Sequence, residues 1–207
     1  MLNEELQIFE CEQNSDAWYA ARAGIVTASE FSTVLAKGRG GAPSETRKKL
    51  LAIKDAEIIT GGAVQAWQGN EHTERGHILE QEIRDLYEAT SEHPVTQVGF
   101  MRRGRMGCSP DAVVGDDGLF EAKSCLPHIQ ITRLENGSLP SEHLAQVMGQ
   151  LLVSGRQWVD YRSYSPGLPQ LRVRVHRDLA YLSTLNTELQ QFNRELDALV
   201  AKIRAMS

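Results

Sequence analysis

The apolar periodicity of this chain changes twice, from helical to strand-like and back to helical. That order constrains its fold more than any other feature. Short helices are expected at 15–23 and 28–36, and a longer one opens at Ser44. Ser44 with Arg47 is half a capping box, because the third helical position is neither acidic nor glutamine. Residues 71–89 form a strong amphipathic helix with Leu79, Ile83, Leu86 and Tyr87 on one face. Residues 95–101, 107–114 and 119–123 then read as strands, 140–153 as a helix, and 158–164 and 171–175 as a strand pair joined by a Pro-Gly turn. A long helix over 179–203 closes the chain. Helices before and after a compact run of strands imply one α/β domain across residues 1–207, with a central mixed β-sheet flanked by helices.

Composition narrows the class. Hydrophobic residues make up 41% of the 207, enough for a real core. No stretch approaches the roughly 20 apolar residues that cross a bilayer. The first ten residues lack the basic and apolar regions of a signal peptide, so a cytoplasmic protein is expected. Cys11, Cys108 and Cys125 form no CxxC pair and read as semi-buried thiols, not as a disulfide framework or zinc site. The glycine-rich segment 37–44 is a loop but no P-loop, so no ATP site is visible. A net charge of -5 argues against a broadly basic nucleic-acid surface. Two local basic tracks remain, Arg102–Arg103–Arg105 and Arg172–Arg174–Arg177, and ordinary solvated charge explains both.

The chemistry concentrates in Cys108-Ser-Pro-Asp111 and Leu119-Phe-Glu121-Ala-Lys123. Alternate side chains of a strand share a face, so Leu119, Glu121 and Lys123 point one way, Phe120 and Ala122 the other. An even-length turn would put Asp111 on the opposite face from Glu121; an odd loop or a bulge brings them together. Asp116-Asp117-Gly118 suits a three-residue loop with Gly118 left-handed. Two such carboxylates would hold Mg²⁺, a hard cation that takes oxygen ligands. Lys123 beside them could hold an attacking water and offset negative charge. The plain alternative is a surface hairpin with an ordinary Glu–Lys pair. Glu80 lies about 20° from Tyr87 on an ideal helix, at the border of the apolar face. Glu74 and Glu82 compete with it for any role.

The hairpin resembles the PD-(D/E)XK nuclease core, and three further segments sharpen the resemblance. Asp16-Ala-Trp-Tyr-Ala-Ala-Arg22-Ala-Gly-Ile-Val-Thr27-Ala-Ser29-Glu30 is similar to the N-terminal motif of the phage lambda exonuclease and YqaJ-type viral recombinase family. Gly76-His-Ile-Leu-Glu80 resembles its first active-site glutamate motif, and Ala145-Gln146-Val147 its downstream glutamine motif. The segments stand in family order. The resemblance implies an alkaline-type 5′→3′ exodeoxyribonuclease on linear duplex DNA, releasing 5′-mononucleotides and leaving a 3′ overhang. It implies Mg²⁺, as two ions with Mn²⁺ able to substitute. It also implies a ring-shaped homotrimer, a single-strand annealing recombinase as partner, and a phage or prophage origin. By position, Asp111, Glu121 and the Ala122 carbonyl would bind metal, with Glu80 serving a second ion through water. Lys123 would place the water and Gln146 would support the site. Arg22, Thr27, Ser29 and Ser109 would form a pocket for a 5′-phosphate. Trp18 reads as core packing. His143 stands where the lambda protein has a tyrosine, and it reads either as a phosphate contact or as a satisfied helix histidine.

Two other readings compete. A structure- or sequence-specific endonuclease would keep the metal site without the end pocket. A non-catalytic DNA-end-binding module would place no demand on Asp111, Glu121 and Lys123. An iron–sulfur nuclease would need four cysteines and is excluded by three. The apolar seam of the last helix (Leu182, Leu185, Leu189, Phe192, Leu196, Leu199, Ile203) would pack on its own domain or against another subunit.

Overall fold

The computed structural model describes residues 4–63 and 71–206, with side chains in the second stretch described from Ile78 onward. Glu74, Gly76 and His77, singled out in the sequence, lie outside the described side chains.

A short strand, β1 (Leu6–Phe9), precedes α1 (Asp16–Arg22), whose N-cap Ser15 accepts the Trp18 amide at 3.3 Å. Next comes β2 (Val26–Thr27), a single 3-10 turn (Ala28–Glu30) and α2 (Phe31–Leu35). The helix expected over 28–36 is therefore two pieces. Thr27 and Glu30 form a capping box that ends the strand and starts the turn. In α3 (Glu45–Thr60), Ser44 caps the N-terminus by accepting the Arg47 amide at 3.1 Å. It is followed by α4 (Glu71–Thr90), β3 (Val95–Thr96), β4 (Phe100–Arg103), β5 (Met106–Cys108), β6 (Ala112–Val114) and β7 (Gly118–Ser124). The chain continues through α5 (Pro127–Asn136), α6 (Ser141–Ser154), β8 (Trp158–Tyr164) and β9 (Leu171–His176), and ends in α7 (Leu179–Arg204).

The strands form two mixed sheets, ordered β1-β4-β5-β2 and β3-β6-β7-β8-β9. In each, one neighbouring pair is parallel: β2 with β5, and β7 with β8. The strand expected over 107–114 breaks at Ser109–Asp111, where the chain crosses from one sheet to the other. Pro110 has no N–H to give a ladder and marks the break. The strand expected over 95–101 breaks at Gly99, where an added Cβ would stand 2.2 Å from the Cys11 carbonyl.

Strand β7 divides the interior. Leu119 joins the larger core beneath α6 and α7, while Phe120 and Ala122 join a smaller one with Ile83 and Tyr87 of α4. Tyr87 stacks on Phe120 with ring centroids 4.2 Å apart. Leu86, expected on the apolar face of α4, is 49% exposed, because Ile83 and Tyr87 fill the small core beneath the helix. The seam of α7 from Leu182 to Leu196 is buried in the larger core, so the chain covers that stretch itself. Within the basic tracks Arg103 donates to the Val153 carbonyl, Arg105 pairs with Asp197, and the exposed Arg174 grips Asp160. All three cysteines are free, as expected. Among the described residues no helix is long and apolar enough to cross a membrane.

The β6–β7 hairpin has the odd loop that the chemistry requires, but one residue earlier than expected. Val114 pairs with Gly118, leaving Gly115, Asp116 and Asp117 as the loop. Gly115, not Gly118, is left-handed, with φ of 50°. Gly118 is a strand residue that is glycine for a different reason: an added Cβ would lie 2.2 Å from the Trp158 ring. A Gly118→Val variant should therefore lose stability by at least about 1–3 kcal/mol, the usual size of core overpacking. Urea unfolding measures this, and a variant as stable as the parent would refute the contact.

Candidate active site

The hairpin, α6 and the α1–β2 segment converge on one cavity of about 1180 Å³. Its walls include Asp111, Glu121, Lys123, Glu80 and Gln146 on one side, and Arg22, Thr27, Ser29 and Ser109 on the other. These are all the expected site residues except His143 and Ala122.

The first group is organised around Glu121, a carboxylate only 2% exposed. Alternation on β7 aims it with Leu119 toward α6. There Gln146 and Gln150, one helical turn apart, donate to its Oε1 and Oε2, each at 2.5 Å. Lys123, two residues along the strand, pairs with the same carboxylate. Asp111 faces this group from the end of β6. Its amide donates to the Phe120 carbonyl at 3.1 Å, and its Oδ2 accepts the Ala122 amide at 2.6 Å. The short hairpin thus fastens Asp111 to the backbone of the strand that bears Glu121 and Lys123.

Electrostatics follow from this crowding. Burial, and then the Glu121 carboxylate, hold the Asp111 carboxyl well above the ordinary carboxylate range. Burial works against the Lys123 ammonium, yet Glu121, Asp111 and Glu80 outweigh it and keep the lysine charged. Among the described residues no three His, Cys, Asp or Glu side chains form a ready cage for a metal. The carboxylates on the cavity walls include those of Glu121, Asp111 and Glu80, all oxygen donors, with open cavity for water. That set suits a hard divalent ion that keeps part of its hydration shell. Such an ion would also relieve the repulsion that raises Asp111.

The second group centres on Arg22 at the end of α1. Its guanidinium lies 3.9 Å from the centroid of the Trp18 ring and donates to Ser109 Oγ at 3.2 Å and to Thr27 Oγ1 at 3.3 Å. Trp18 Nε1 also donates to Ser109 Oγ, at 2.9 Å, and Ser29 Oγ lies 3.2 Å from Thr27 Oγ1. Guanidinium and hydroxyls gathered this way suit an anionic oxygen group. Ser109 and Asp111 are two residues apart on the same crossing, so the two groups adjoin.

Two participants escaped the sequence reading. Trp18 is no mere core residue, since it stacks on Arg22 and bonds Ser109. Gln150 holds Glu121 as firmly as Gln146 does. Each lies four residues from a partner already singled out on the same helix, and that spacing is the signal that could have found it. His143 does not line the cavity. It sits edge-on to Tyr161, 3.2 Å from the Arg133 guanidinium, and burial followed by Lys123 and Arg133 pushes its pKa down to about 4, leaving it neutral.

Comparison with known proteins fits this geometry. The profile of the YqaJ-like viral recombinase domain matches residues 17–157. The chain belongs to the YqaJ-like viral recombinase family. That span holds every residue of both groups. LHK-Exo, an alkaline exonuclease from Laribacter hongkongensis, is 30% identical, with a TM-score of 0.82 over 93% of this chain and 97% of that one. The structure of LHK-Exo in complex with dAMP gives 31% identity and a TM-score of 0.83 over the same 93% and 97%. A phage-related exonuclease from Haemophilus somnus 129PT, 14% identical, shares the fold with a TM-score of 0.62 over 86% of this chain and 96% of that one. No curated protein matches the chain. The family and the mixed α/β nuclease fold expected from the sequence both stand.

The raised Asp111 carboxyl yields a test in metal-free protein. A carboxyl raised on folding supports stability below its unfolded value, about 3.9, and that support is lost as pH rises toward the folded value. Asp111→Asn removes the titration and keeps an acceptor for the Ala122 amide. In EDTA at pH 8 the variant should melt at least about 3 °C above the parent, the size expected of roughly 1 kcal/mol in a chain this long. The difference should shrink toward pH 4. Equal melting at both pH values would show that the pair is not strained.

Proposed function

We propose that this chain is a Mg²⁺-dependent 5′→3′ exonuclease. It digests one strand of linear duplex DNA to 5′-mononucleotides and leaves a 3′ overhang for annealing. The observation that carries this reading is the adjacency of the two groups in one cavity: a guanidinium with hydroxyls beside a pair of carboxylates with a lysine. A terminal 5′-phosphate gripped by Arg22 and Ser109 would set the following phosphodiester over Asp111 and Glu121. An enzyme cutting internally has no use for the first group. The alkaline exonuclease relatives support the same class of chemistry.

In this reading Asp111, Glu121 and the Ala122 carbonyl would hold one Mg²⁺, and Glu80 would serve a second through water; Mn²⁺ could replace either. Held there, a divalent ion would lower the pKa of a bound water and offset charge on the phosphate. Gln146 and Gln150 keep Glu121 in place; Oε1 also accepts Lys123, so Oε2 is the oxygen with a second lone pair for the ion. Lys123, held charged by its neighbours, orients the attacking water and stabilises negative charge as it develops. Arg22, Thr27, Ser29 and Ser109 fix the 5′ end, so each cut advances by one nucleotide. The whole chain, 1–207, acts as one nuclease domain in the host cytoplasm. Three copies form a ring around DNA and hand the overhang to a single-strand annealing recombinase.

Digestion of end-labelled linear duplex, with and without a 5′-phosphate, tests the reaction. Mononucleotides should appear preferentially from phosphorylated 5′ ends, stop in EDTA, and fall at least about a hundredfold with Lys123→Ala, the size typical of losing one preorganised electrostatic group. Cleavage of closed circular duplex would point to an endonuclease, and binding of ends without cleavage to a non-catalytic module. Light scattering should give three times the chain mass; a clean monomer would remove the ring.

A further inference from the structure

The segment between Arg22 and Ser29 is clamped from behind by α3. Gly24 is left-handed, with φ of 70°, and an added Cβ would lie 2.5 Å from Ile58 Cγ1, so α3 presses directly on it. One turn before Ile58, the Lys54 side chain is 6% exposed, and its ammonium reaches two carboxylates: Glu30 at 3.0 Å and Glu57 at 3.2 Å. Glu57 accepts the Gly24 amide at 2.9 Å. Glu30 accepts the Thr27 amide at 2.9 Å and the Thr27 hydroxyl at 3.0 Å. A single buried cation therefore holds both ends of the four-residue link that carries the anion pocket. Neither Lys54 nor Glu30 lines the cavity.

This clamp also sets hydrogen directions. A hydroxyl has one hydrogen and two lone pairs. Thr27 commits its hydrogen to Glu30, so toward the cavity it can only accept. It accepts Arg22 and, in the capping box, the Glu30 amide, with Ser29 Oγ alongside. Ser109 already accepts from both Trp18 and Arg22, which leaves its own hydrogen to point at a ligand.

Building on the 5′-phosphate pocket proposed above, we infer that Lys54 is its positioning residue. Acting through Glu30 and Glu57, it turns Thr27 into a brace for Arg22 and leaves Arg22 and Ser109 as the donors to the phosphate. Thr27 itself does not donate to the ligand.

The test compares digestion of 5′-phosphorylated and 5′-hydroxyl duplex by the parent, Lys54→Met, Lys54→Arg, Glu30→Ala and Arg22→Ala, with folding followed by circular dichroism. Lys54→Met and Glu30→Ala should each cut the preference for phosphorylated ends about tenfold, through KM and not kcat, while rates on hydroxyl ends stay within about twofold. Lys54→Arg should restore part of the preference. Should Lys54→Met fail to fold, Glu30→Ala decides, since it leaves the Lys54–Glu57 pair intact. Unchanged preference in the folded variants, with preference lost in Arg22→Ala, would overturn the role of Lys54 and leave the pocket standing. Unchanged preference in Arg22→Ala would remove the pocket and this inference with it.

Discussion

A carboxylate buried as deeply as Glu121 must be paired and hydrogen-bonded, because an isolated charge in the interior costs far more than a fold can supply. Here the pairing comes from two elements at once. Lys123 shares the strand with Glu121, and Gln146 and Gln150 come from the helix packed across it. The register of α6 on β7 is therefore tied to the chemistry. Slipping the strand by one residue would exchange Glu121 for Phe120 or Ala122 and leave both glutamines facing apolar groups. Asp111 adds a second, half-buried carboxylate that this arrangement does not neutralise, and that surplus negative charge is what a divalent ion would answer.

The crossing at Ser109–Asp111 does the remaining positioning. It carries the chain from one sheet to the other and delivers Ser109 to Arg22 and Asp111 to Ala122 within two residues. The four-stranded sheet, with α1 and the 3-10 turn, holds Arg22 and the hydroxyls gathered beside it. The five-stranded sheet holds the carboxylates. Neither sheet carries both groups, and the break at Pro110 is where they meet.

Much of this was legible in the sequence because it depends on parity. The two-residue alternation of β7 and the odd count between Asp111 and Glu121 hold whichever glycine turns the loop. Which glycine does so was not legible: Gly115 and Gly118 are equivalent as turn formers, and only the Trp158 ring, distant in sequence until the sheet forms, claims Gly118 for the strand. The same limit applies to β1, a four-residue edge strand without clean alternation that is defined by pairing with β4. In contrast α5 carried visible signals, Pro127 at its start and Gly137, with φ of 62°, at its end. Trp18 reads as core by its residue type, although its place one helical turn before Arg22 is the signal of its contact with the guanidinium. The Lys54 clamp joins residues 24–57 through contacts that no local pattern records.

The central claim is that Asp111 and Glu121 together form a divalent-ion site distinct from the lysine that serves the reaction. Binding of Mn²⁺, followed by electron paramagnetic resonance without DNA, tests it most directly. The account predicts binding by the parent, at least about a tenfold weaker affinity in Asp111→Asn, and retained binding in the inactive Lys123→Ala. Equal affinity in the parent and Asp111→Asn would contradict it.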